Sequence, residues 1–87
     1  MFSEMKNKKA HYIRRMVMGL KRYDVEVEAE EISDLFVLDI YLGYGVYPKE
    51  LTYRIADLIT FSDGMSASQN PRNQNEFILT LFFNMPD

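Results

Sequence analysis

The 87-residue chain has no cysteine, no tryptophan and a single histidine, His11. Without a thiol there is no disulfide framework, no thiolate zinc site and no cysteine nucleophile. One histidine among scattered serines supports no Ser-His-Asp arrangement. No apolar run approaches the roughly 18 to 20 residues needed to span a bilayer. The lysines near the N-terminus are not followed by the continuous apolar segment of a secretion signal. A cytoplasmic protein without a membrane partner is the expectation.

Hydrophobic residues make up 47% of the chain, with six Phe and six Tyr among them. That suffices for one core and is too apolar for a disordered segment. A single domain over residues 1–87 is expected. Lacking covalent staples, it must rely on packing or on a partner. The net charge of −3 is unevenly spread. Up to Tyr23, seven Lys and Arg stand against Glu4 alone; from Asp24 onward, three face twelve carboxylates. Such asymmetry bears on partners rather than on fold.

Residues 3 to 22 read as a helix. Met5, Tyr12, Ile13, Met16, Val17 and Leu20 share one side at helical spacing, and Lys8, Arg14, Arg15, Lys21 and Arg22 share the other. In the following "DVEVEAEE", Val25, Val27 and Ala29 alternate with Asp24, Glu26, Glu28 and Glu30, the period of a half-buried strand. "LFVLDIYL" (35–42) suits a second strand, with "EISD" turning a hairpin between the two. A helix over residues 28–42 is the alternative, ending at Gly43, but it buries Asp39. Pro48 suits the first turn of another helix, striped by Leu51, Ile55, Leu58 and Ile59 and stopped at Gly64. Residues 65–75, "MSASQNPRNQN", read as an exposed polar loop. "EFILTLFF" then supplies a third strand, apolar on both faces. The expected fold is α+β in the order α-β-β-α-β, with two helices on one face of a three-stranded, mostly antiparallel sheet. The other face carries Val37, Tyr41, Ile78 and Phe82 with no element left to cover them. Such a patch points to a homodimer or another partner.

"IYLGYGVYPKE" (40–50) raises the question of a phosphate-binding loop. A dinucleotide fingerprint needs a third glycine where Pro48 stands, and G-K-S/T is absent. Gly43 and Gly45 therefore read as a bend between strand and helix, with Tyr41, Tyr44, Tyr47 and Tyr53 gathered near it. Exposed tyrosines are good anchors for a protein partner. Catalysis has little to build on. His11 falls with the basic helix face, Asp39 is the odd acid in an apolar strand, and Asp57 and Asp63 read as surface acids. No catalytic residue, metal site or cofactor is expected.

The acidic strand carries the functional reading. Side chains two apart on a strand project on one face about 6.6 to 6.8 Å apart. Asp24, Glu26, Glu28 and Glu30 then form a file of negative charge that imitates a nucleic-acid backbone. The bland reading of the same file is a solvated face or a charge-guarded edge. Size, acidity and lack of catalytic residues make the chain similar in class, though not in any motif, to small immunity proteins, antitoxins and phage-encoded inhibitors. The expected function is a protein–protein interaction module, an inhibitor or regulator of a basic partner such as a nuclease or other nucleic-acid-handling enzyme. Its contacts are Asp24, Glu26, Glu28 and Glu30, with Tyr44 and Tyr47 as anchors. The alternative is direct nucleic-acid binding through Lys8, Arg14, Arg15, Lys21 and Arg22.

Overall fold

The computed structural model describes residues 2–85. Helix α1 (Phe2–Leu20) passes through a 3-10 turn (Lys21–Tyr23) into strands β1 (Glu26–Ile32) and β2 (Leu35–Gly43). Helix α2 (Lys49–Phe61) follows, then β3 (Gly64–Gln69) and β4 (Glu76–Asn84). The four strands form one antiparallel sheet in the order β1-β2-β4-β3. The class is α+β.

Strand β2 is central and organises the rest. Phe36, Leu38, Ile40 and Leu42 are buried, and the residues between them are half-buried. Leu79, Leu81 and Phe83 lie beside them on β4 in register. The two helices cover this face. Ile13, Val17 and Leu20 of α1 and Leu51 and Leu58 of α2 complete the core. Each such side chain contributes about 1.5–3 kcal/mol by leaving water. Met16 packs at the margin as its helical spacing predicts, while Tyr12 is exposed and meets the Phe61 ring edge-on at 5.1 Å. The side chain of Met5 lies outside the described residues.

Three expectations and one alternative are corrected. The helix over 28–42 does not form. The segment forms the end of β1, a turn at Ser33 and Asp34, and β2, which pairs along both edges and sends Asp39 to the uncovered face instead of the core. The polar stretch 65–75 is not all loop, because Gly64–Gln69 adds a fourth strand to β4 and only residues 70–75 turn. Its small polar side chains show no apolar period because nothing covers this edge and Met65–Gln69 are exposed. Gly64 does not stop α2. Ser62 does, in an extended conformation, its N–H bonded to the carbonyls of Leu58 and Ile59. Pro48 sits one residue earlier than expected, at the cap rather than within the first turn.

The central strand sets the stability. Leu38→Ala removes a fully buried side chain, and its unfolding free energy should fall by about 2–5 kcal/mol. Ser66→Ala on the exposed edge strand should stay within about 0.5 kcal/mol of wild type. Urea unfolding followed by circular dichroism reads both.

Candidate functional site

Alternation along the strands decides which side chains reach the uncovered face. Glu26, Glu28 and Glu30 come from β1, and Val37, Asp39 and Tyr41 from β2. Ile78, Thr80 and Phe82 come from β4, with Gly64, Ser66 and Ser68 from β3. None of these residues is Lys or Arg. Val37, Tyr41, Ile78 and Phe82 do share the open face and are half-buried. The expected file of four acids loses its first member. Asp24 lies ahead of β1 in a left-handed conformation, φ 56°, where the 3-10 turn ends. Asp39 instead joins the acidic group, directly across from Glu28.

Two hydroxyls hold these acids. Tyr41 donates to Glu28 Oε2 at 3.0 Å, and Thr80 donates to Asp39 Oδ1 at 2.6 Å. Sequence reasoning missed Thr80, because its link to Asp39 spans two strands far apart in the chain. The hydrogen bond to Glu28 raises the Tyr41 pKa above the usual phenol value, helped by partial desolvation and by the charges of Glu28, Asp39 and Glu26. The hydroxyl therefore stays a donor at neutral pH. Glu31, one residue past the file, turns to the helix side and pairs with Arg14 at 2.5 Å.

The bend after β2 uses its tyrosines in different ways. The Tyr47 hydroxyl accepts from the Gly43 N–H at 2.6 Å and donates to the Gly43 carbonyl at 3.1 Å. Its polar end is thus spent on closing the bend. Gly45 supports the turn at φ 153°, a conformation that L side chains rarely adopt. Tyr44 is 70% exposed and leans on Phe77 at 5.6 Å. Tyr53 is exposed on α2, under the Lys49 ammonium.

No family model matches this chain, and no curated protein or solved structure matches it. The geometry is therefore the guide to its chemistry.

Most of the cations occupy the other layer. Lys8, Arg14, Arg15, Lys21 and Arg22 are all exposed on or just after α1. Arg54 joins them from α2. It lies so close over Gly19 that a Cβ there would stand 2.8 Å from its Nη1. His11, Arg14, Arg15, Lys21, Arg22 and Arg54 line one open groove. Lys9 is drawn away, donating to the Asn84 carbonyl and pairing with Asp63 at 3.5 Å. His11 and Asp39 are in opposite layers, so the structure does not bring them together. Asp57 is exposed on α2. Among the described residues, no three His, Asp or Glu side chains converge as a metal site.

The Tyr41–Glu28 bond can be read by titration. A raised folded pKa means the bond contributes in full below about pH 10 and is lost as pH rises through the folded value. Glu28→Gln should lower the Tyr41 pKa toward the ordinary range. The measurement is the 295 nm absorbance titration of each protein minus that of its Tyr41→Phe counterpart. Superimposable difference curves in the wild-type and Glu28→Gln backgrounds would remove the proposed bond.

Proposed function

We propose that the protein is a non-catalytic protein-binding module whose docking surface is the open face of the sheet, and that it engages and restrains a basic, nucleic-acid-handling protein. One observation carries this reading: Glu26, Glu28, Glu30 and Asp39 share an open face whose strand residues include no cation. Carboxylates held at strand spacing offer Lys and Arg the charge pattern that a phosphate backbone would. Val37 and Phe82 on one side of the Asp39–Thr80 pair, and Tyr41 and Ile78 on the other, supply the apolar part of the surface. Arg72 and Pro71, on the loop before β4, close one end beside Glu26 and Tyr41. Asp24 stands just outside the file and adds long-range attraction. Tyr44 is the aromatic anchor at the bend, and Tyr47 fixes the bend that presents it.

A second copy fits this face less well. The opposing surface would be the same one, so its strands would bring no cation to the buried acids, and Arg72 at one end would be left to offset their desolvation.

The second reading is nucleic-acid binding by the helix layer. The convergence of Arg54 on Arg15, Lys21 and Arg22 favours it, with Lys8 and Arg14 flanking. The two readings part in a single pair of experiments. Charge reversal of Glu26 and Glu28 should slow association with a captured basic partner and flatten its salt dependence. Association rates that are unaltered in this variant sink the first reading. A gel shift in low salt with single- and double-stranded probes tests the second, which requires binding that falls steeply with added salt.

A further inference from the structure

The sheet has two free edges, and they differ in kind. β1 is guarded by Glu26, Glu28, Glu30 and Glu31. β3 reads Gly-Met-Ser-Ala-Ser-Gln, has no charge and no proline, pairs among the described residues only with β4, and is exposed from Met65 to Gln69. An unguarded edge of this kind is a template for another strand. We infer that β3 is a homodimerisation edge: two copies join β3 to β3 about a two-fold axis, making one continuous eight-stranded antiparallel sheet.

The choice of a second copy follows from charge and symmetry. A two-fold axis normal to the sheet reverses strand direction and keeps the same face up. Residues directly opposite must then share a face, so the axis passes midway between one residue and its own copy. At β3 that residue is Ser66 or Ala67, and every residue brought into opposition is uncharged. The same operation at β1 sets Glu28 against itself or against Glu30, and like charges directly opposite are destabilising. A basic partner gains nothing from the uncharged β3 edge, since its attraction lies at β1. On the helix side of the border, Met65 is 55% exposed. Each copy brings it to the junction, adding apolar contact to the strand ladder.

The arrangement is independent of what binds the open face, but it has a bearing on it. Both open faces lie on one side of the joined sheet. The two acidic strands stand at its outer borders, seven strand spacings apart, about 34 Å. Such a dimer presents two equivalent acidic rows to one large or two-fold symmetric partner, and avidity then exceeds that of either row alone.

The absence of cysteine makes the test direct. Sedimentation equilibrium on the full chain at 10 μM to 1 mM should give twice the 10.3 kDa chain mass. The variant Ser66→Lys/Ala67→Lys places a lysine against its own copy in either register and should sediment as a monomer with unchanged far-ultraviolet circular dichroism. Ser66→Cys and Ala67→Cys, made singly, read the edge without added charge. At least one should form a disulfide dimer under mild oxidation, because residues opposed across a ladder lie within disulfide reach. Three outcomes overturn the inference: a wild-type monomer at 1 mM, a dimer that survives the double lysine substitution in a folded protein, or concentration-dependent growth beyond the dimer. A strand from a different protein bound at β3 in place of the second copy does so as well.

Discussion

The structure depends on one constraint: β2 has hydrogen-bonded neighbours on both sides and helices on only one face. Its alternate residues, Phe36 to Leu42, are taken into the core, so Val37, Asp39 and Tyr41 have nowhere to go but outward. A one-residue slip would exchange the two sets and place Asp39 under the helices. The register that builds the core is thus the same register that assembles the acidic face. Core and surface are not separately adjustable in this sheet.

Much of this was legible in the chain. Val25, Val27 and Ala29 alternate with acids as β1 does, Phe36, Leu38, Ile40 and Leu42 mark the buried face of β2, and the wheel of residues 3–22 found the buried side of α1 at Ile13, Val17 and Leu20 though not at Tyr12. β3 was not legible, because an edge strand exposed on both faces carries no apolar period; its cause is the ladder to β4, which is non-local. Asp24 was misplaced for a related reason. Alternation extends back to it, yet the left-handed residue that ends the 3-10 turn takes it out of the strand. Of the candidate site, sequence showed the three glutamates and the apolar patch, but not that Asp39 completes the group or that Thr80 holds it. Tyr44 and Tyr47 look equivalent in sequence. Only the return of the Tyr47 hydroxyl to Gly43 separates an inward tyrosine from an outward one.

The segregation of charge noticed in the sequence becomes a segregation by layer. Positive groups gather on α1 and negative ones on β1 and β2, with the core between them, while α2 carries both signs and Arg72 lies at one end of the open face. A few ties cross the division: Arg14 to Glu31 anchors α1 to β1, and Lys9 to Asp63 anchors it near the start of β3. Exposed pairs of this type contribute little to stability. Their value is positional, since they fix the helix layer across the sheet while leaving Glu26, Glu28 and Glu30 unencumbered by these cations.

Gly19 has a longer reach than its size suggests. A glycine inside a helix costs roughly 0.5–1 kcal/mol against alanine, and here the space it leaves is filled by the tip of a flexible arginine rather than by backbone. An alanine at this position would push aside a movable cation and leave the helix crossing as it is. Sequence drift at residue 19 can therefore retune the electrostatic potential of the helix layer without redrawing the architecture beneath it.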